Sequence, residues 1–523
     1  MLYKYRPFII ALIIFSACLY FINPYFQYYI DPDATAYFTI AKRYASGDIS
    51  AAINGYWGPL ACWLSAALIK CNLQAMPAAV IVNAVAAAGV LYISQSFFLF
   101  FDLQRKLQWA LNAALAAFML YAIFWQLFDD LWQCFLLLAI LRIMLKEQFA
   151  SKPVLWALTG ILASVAYYAK AYSFSFFILS ILCCTYFIAK DSDGKTNRNL
   201  FIRICLISIG AMIICCAPWL FALHQKYGIW TSSTAVSLNS SWCLVGHPYW
   251  AENIKYLLPP VYNNSVSYWE DPYWVNGLAP HFWNSIQLFF MQIVRSIYML
   301  LRLMNSMNEI SVFFIPCWIF ALAVVVSKKI RNYFPVKLFI PALSFLLFPI
   351  GLVFINSESR YIWYMLPLSM IFGALLLQQF LLFSDKRLLN NIVIFIFCFS
   401  YLLTPILNMK AMFKEGTEEY KIANSLRELN ISGSFTSNAE YGLQGQRVQR
   451  IAYFSNNPYY SIPTPDFLSS ELLKEMRRYH VNYYFYFYQP IDYDGYVLKD
   501  EHGMAFPELG AGKFSGLKIF KLN

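Results

Sequence analysis

The stretch Tyr29-Ile-Asp31-Pro-Asp33-Ala-Thr-Ala-Tyr37-Phe-Thr-Ile-Ala-Lys-Arg43-Tyr44-Ala-Ser-Gly47-Asp48 follows directly on the first long apolar run of the chain. Two carboxylates therefore stand at the end of that run. Pro32 disfavours helix at the residue before it and suits the first turn of a helix after it, so Asp31 and Asp33 head a helix. Tyr37, Ile40, Ala41 and Tyr44 recur at helical spacing, with Lys42 and Arg43 on the other side. That is the pattern of an amphipathic helix lying in a membrane interface. The fold class then turns on whether the remaining chain reads as membrane.

It does. Of 523 residues, 60% are hydrophobic and only 13% charged, against about 25% charged in a soluble domain. The 39 Lys and Arg exceed the 28 Asp and Glu, but they are scattered between apolar runs. No basic stripe or nucleic-acid fold signature accompanies them, which excludes nucleic acid as a partner and leaves topology as the role of the charge. Most of the 12 cysteines fall inside apolar runs, without the spacing of a disulfide framework or a zinc site. Lys4 and Arg6 precede an apolar run that lacks a small-residue cleavage site, so a retained first span with a cytoplasmic amino end is expected.

Runs of span length lie near 8–30, 77–101, 108–126, 130–147, 154–169, 171–189, 201–221, 311–327, 336–356, 361–383 and 390–408, about eleven transmembrane helices. With the amino end inside, the inner loops carry Arg105-Lys106, Lys146 to Lys152, Lys190 to Arg203, Lys328 to Lys337 and Lys386-Arg387. The outer segments collect Asp31, Asp33, Asp48, Asp129, Asp130, Glu252, Glu270, Asp271 and Glu358, as the positive-inside rule requires. To keep this agreement, residues 282–305, which contain Arg295 and Arg302, are assigned to an amphipathic helix on the outer surface. Residues 51–70 are assigned likewise.

Residues 1–408 form the membrane domain, with a first outer loop at 31–76 and a large, aromatic-rich outer loop at 224–310. Residues 409–523 make a small extracytoplasmic α/β domain, with helices near 418–429 and 469–479 and strands at 480–488 and 514–522. The fold class is mainly α and polytopic.

Four constellations could carry chemistry. The Asp31/Asp33 pair could supply a base that takes a proton from an attacking hydroxyl, or merely cap a helix. Asp129 and Asp130 also open a helix, yet the topology puts both acidic pairs on one face of the membrane. Lys170 interrupts an apolar stretch, where it either snorkels outward or meets an anion such as phosphate. Arg360 opens the tenth span beside Tyr361; arginine grips phosphate oxygens in pairs, and a surface pair with Glu358 is the plainer reading. His247 and His281 are candidate loop contacts, and loop aromatics could stack on sugar faces. The acidic pairs could also hold a divalent ion.

Asp33-x-x-x-Tyr37-x-x-x-Ala41 and then Gly47, just after the first span, resembles the first outer loop of the C-type glycosyltransferases. These include the bacterial relatives of protein O-mannosyltransferases and the lipid A aminoarabinose transferase. The acids at 129–130, Tyr168-Ala-Lys170 and Glu358-Ser-Arg-Tyr361 with Pro367 are similar to that family in the same order. The commoner Asp-Glu pair is absent, Ala34 standing after Asp33, which leaves Asp31 as a substitute or helper.

The resemblance implies an inverting hexosyl or pentosyl transfer from a polyprenyl-phosphate sugar, such as an undecaprenyl phosphate one. The acceptor would be lipid A, another glycan or a protein, at the outer face of the bacterial inner membrane. Asp33 would be the base, and Lys170 and Arg360 with Tyr361 would hold the phosphate. The rival readings are a transporter or flippase of a lipid-linked glycan and a non-catalytic membrane scaffold.

Overall fold

Pro32 opens the helix Pro32–Ser46, as its fixed φ favours. Asp31 caps it, accepting the Ala34 N–H at 2.6 Å, and Gly47 ends it in the left-handed region at φ 88°. A second short helix, Pro59–Lys70, returns beside it. The structure, a computed structural model, describes every residue except 1, 191–195, 247–255, 273–279, 332, 335, 383–385, 440–441, 463–468, 489–494 and 523.

Among the described residues, six helices are long and apolar enough to cross a membrane: Tyr3–Tyr25, Ala75–Phe100, Arg105–Trp125, Arg198–Tyr227, Ile286–Ile310 and Met365–Leu382. The bent pair Arg387–Ser400 and Leu403–Glu428 makes a seventh if counted as one span. Five further stretches that the sequence reads as spans contain the shorter helices Asp130–Met144, Pro153–Ala169, Tyr172–Ile188, Phe314–Val326 and Phe339–Leu347.

The helix Ile286–Ile310, expected on the outer surface, is amphipathic and is also long and apolar enough to cross a membrane. Its buried residues Gln292, Met299, Leu303, Ser306 and Ile310 follow one stripe, while Phe290, Val294, Ile297 and Leu301 are exposed on another. The two arginines that argue against a span are thereby confined to one side, and the length and apolarity of a span survive.

Small and polar residues join the helices, as expected where lipid removes the hydrophobic drive between them. A Cβ on Gly160 would come within 2.1 Å of the Ser208 carbonyl, so Pro153–Ala169 and Arg198–Tyr227 meet backbone to backbone. Gln95, Gln108 and Asn112 form a buried hydrogen-bonded chain between two spans.

The carboxyl-terminal part carries a four-stranded sheet of β1 Phe435–Ser437, β2 Tyr483–Phe487, β3 Glu508–Leu509 and β4 Leu517–Lys521, in the order β1-β2-β4-β3. β1 and β2 run parallel; β4 is antiparallel to both β2 and β3. The helices Thr417–Glu428, Gly442–Ser455 and Ser469–Arg478 accompany it. This region backs the acid-bearing helix: Arg450 donates to the Ile30 carbonyl at 2.6 Å and pairs with Glu415 at 2.7 Å. Tyr28 stacks on Tyr420 at 4.3 Å.

Candidate active site

A cavity of about 590 Å³ opens beside the helix Pro32–Ser46, lined by Asp33, Asp129, Asp130, Lys170, Arg360 and Tyr361 among others. Small-molecule sites commonly span 300–1,000 Å³. Four separate segments of sequence thus bring these residues to one space.

Each acidic pair divides its labour. Asp31 is spent on the cap of its own helix. Burial and the neighbouring Asp33 push its carboxyl up to about 7. Asp33, two residues on, lines the cavity. Its Oδ1 accepts the Trp269 indole N–H at 2.9 Å and its Oδ2 accepts Arg360 Nη2 at 3.0 Å. Asp129 caps a different helix from the one it precedes: its Oδ1 accepts the Ala61 N–H at 2.9 Å, in the first turn of Pro59–Lys70. Gly58 permits that approach, since a Cβ there would lie 2.0 Å from the Ala169 carbonyl and 2.7 Å from Asp129 Oδ2. Asp130 pairs with Lys170.

The two cations are also joined to each other's surroundings. Lys170 Nζ stands 4.1 Å from the Tyr361 ring centroid, and Arg360 stacks at 5.1 Å on both Tyr361 and Phe128. Arg360 spends its other donors on Glu358 at 2.7 Å and Gln126 at 2.6 Å. Burial works to raise the Glu358 carboxyl, but Arg360, Lys170 and Arg302 outweigh it and hold it below the ordinary glutamate range.

Of the loop histidines, His281 lies 3.3 Å from Ser237 and stacks on Trp283 at 4.4 Å, and is not among the cavity residues. His247 lies outside the described residues.

The decisive loop residue is instead Trp269, whose place no spacing rule marks. Its neighbours Glu270 and Asp271 explain its fixity. Glu270 accepts from Arg43 at 2.7 Å with both side chains 3% exposed, and Asp271 meets Lys226 and Tyr227, each at 2.8 Å. Asn54 and Trp57 hold the backbone carbonyls of Glu270 and Trp269. Gln126, Arg295 and Arg302 also reach the site or line the cavity.

Solved structures share this fold. The Archaeoglobus fulgidus oligosaccharyltransferase in complex with Zn and sulfate is similar at a TM-score of 0.54, over 95% of this chain and 72% of that one, with 12% identity. The archaeal oligosaccharyltransferase AglB from the same organism, in complex with an inhibitory peptide and a dolichol-phosphate, gives 0.52 over 93% and 69% at 11% identity. The form tethered to an acceptor peptide containing the NVT sequon gives 0.51 over 92% and 69% at 11% identity. No family model and no curated protein sequence matches the chain. At 11–12% identity the likeness is one of fold.

Among the described residues no three His, Cys, Asp or Glu side chains group as a metal site. Both oxygens of Asp33 are taken by Trp269 and Arg360, and Asp130 is paired with Lys170.

Proposed function

We propose that this protein is an inverting glycosyltransferase of the outer face of the cytoplasmic membrane. It moves a sugar from a polyprenyl-phosphate donor to a hydroxyl or phosphate of a lipid, glycan or protein acceptor. One observation carries the reading: Asp33 is a carboxylate 20% exposed in the cavity, with each oxygen held by a defined donor. A carboxylate so oriented can accept the acceptor's proton while the freed oxygen attacks the anomeric carbon from the face opposite the leaving phosphate.

The bond to that phosphate breaks as the new bond forms, and the departing group carries the negative charge away. Arg360 and Lys170, braced by Tyr361, supply fixed positive charge for it. Preorganised charge of this kind costs no rearrangement at the moment of reaction. The archaeal structures of the same fold were solved with a dolichol-phosphate and with acceptor peptide, which supports a lipid-linked donor and a protein among the acceptors.

The test is purified protein with polyprenyl-phosphate hexoses and pentoses, following released polyprenyl phosphate. Release by the wild type that falls by about 10²-fold or more in Asp33→Asn, the scale of a missing general base, supports the enzyme. Equal release from both removes Asp33 from the chemistry. No release with any donor and acceptor, alongside lipid-linked glycan moved across vesicles, would make the protein a flippase.

A further inference from the structure

Among the described residues the cavity has four basic side chains, and they are not alike. Arg360 is engaged by Asp33 and Glu358, and Lys170 by Asp130. Arg295 and Arg302 line the same cavity from the helix Ile286–Ile310. Among the described residues neither makes a hydrogen bond or ion pair. They are two helical turns apart, so they share one side of the helix about 10 Å from each other along its axis. Met299 lies between them on that side, buried and also lining the cavity. Both arginines are exposed, which places them at the cavity mouth rather than its floor. The stripe beside them, Phe290, Val294, Ile297 and Leu301, is apolar and exposed.

A helix of this apolarity carries two unpaired guanidinium groups at a cost, and charged residues in such helices mark pathways for charged ligands. Arg360 and Lys170 already share their charge with carboxylates. Among the described residues Arg295 and Arg302 have no hydrogen-bonded or ion-paired carboxylate, though Arg302 is near enough to Glu358 to act on it electrostatically. Guanidinium is suited to phosphate oxygens, which it can grip in pairs. A ligand that meets these two groups while its tail follows the adjoining apolar stripe is a phosphate on a long hydrocarbon.

We infer that Arg295 and Arg302 form a docking site for the phosphate of the polyprenyl donor at the cavity mouth, separate from the charges around Asp33. The inference rests on the transfer reading above, and it divides the work. The mouth arginines bind the lipid phosphate as it arrives and leaves; Arg360 and Lys170 act where the sugar bond breaks. Loss of the mouth site therefore raises KM and spares kcat.

The experiment measures binding of undecaprenyl phosphate to the full chain in phosphatidylcholine nanodiscs, with neutral undecaprenol and phosphatidylglycerol at equal mole fraction as comparisons. Wild type should bind the phosphate at least tenfold tighter than the alcohol, and phosphatidylglycerol should not compete. The double variant R295Q/R302Q should lose that preference and R295K/R302K should keep part of it, with thermal unfolding unchanged in both. In turnover R295Q/R302Q should raise KM about tenfold or more at wild-type kcat. Equal binding by wild type and a folded R295Q/R302Q overturns the site while leaving the transferase reading intact, as does a fall in kcat at constant KM. Equal competition by phosphatidylglycerol also overturns it, making the site one for bulk anionic headgroups. Failure of wild type to bind undecaprenyl phosphate at all overturns the site and the donor class together.

Discussion

Asp31/Asp33 and Asp129/Asp130 look alike in sequence: two acids within three residues, each pair at a helix start just outside an apolar run. In three dimensions each pair gives one acid to a helix cap and one to a cation. There the likeness ends. Asp33 is 20% exposed, and its partner Arg360 keeps Glu358 as a second counter-ion. Asp130 is 1% exposed, and its second oxygen has no partner among the described residues. One pairing leaves its carboxylate accessible, whereas the other buries its carboxylate beneath a 28% exposed Lys170 and holds the helix Asp130–Met144 to the turn at Lys170. A carboxylate can do chemistry or brace a fold, and accessibility separates the two.

Four measurements would break or sharpen that contrast. The largest effect belongs to the pair of Asp130 and Lys170. Lys170→Met should lower stability by about 3 kcal/mol, because a buried carboxylate left without its cation costs about that much or more. Thermal unfolding of the purified protein reads it, and Lys170→Met/Asp130→Asn should recover most of the loss. If the single variant unfolds like wild type, the bracing role fails.

Asp33→Asn should do the reverse: a fall of about 10²-fold or more in transfer with little change in unfolding, since Arg360 retains Glu358. A variant that unfolds early instead would make Asp33 a brace as well. Trp269→Phe removes one donor to a carboxylate, an interaction of about 1.5–3 kcal/mol. A drop in kcat near tenfold is expected, and unchanged turnover would show that Arg360 alone orients Asp33.

Asp31→Asn gives the smallest effect. Asparagine caps as well as aspartate, so turnover should hold. The readout is pH. Asp31 titrates near 7 in the fold against about 3.9 unfolded, so the native state holds the extra proton between those values. Its contribution to stability is complete below about pH 4 and is lost as pH rises through 7. Asp31→Asn should therefore gain on wild type in unfolding temperature as pH climbs across that window. Parallel pH curves would place Asp31 elsewhere than at a desolvated cap.

Much of this was legible beforehand. The acidic pairs, Lys170 and Arg360 stand out because charge is rare in this chain, and a rare charge in an apolar setting must be partnered or functional. Trp269 did not stand out, since loop aromatics are common and only its contact with Asp33 distinguishes it. Arg295 and Arg302 were visible as two charges seven residues apart on an apolar helix, but that they line the same cavity as Asp33 shows only in the fold.

The sequence by itself determined a mainly helical membrane chain, the helix start at Pro32 and the set of charges from which a site could be made. Those follow from local rules, because hydropathy, proline and capping act over a few residues. Tertiary structure alone decided which acid meets which base. Asp33 reaches Arg360 across 327 positions and Trp269 across 236, and separations of that size are set by how helices pack, through close approaches such as Gly58 on Ala169, rather than by any pattern along the chain.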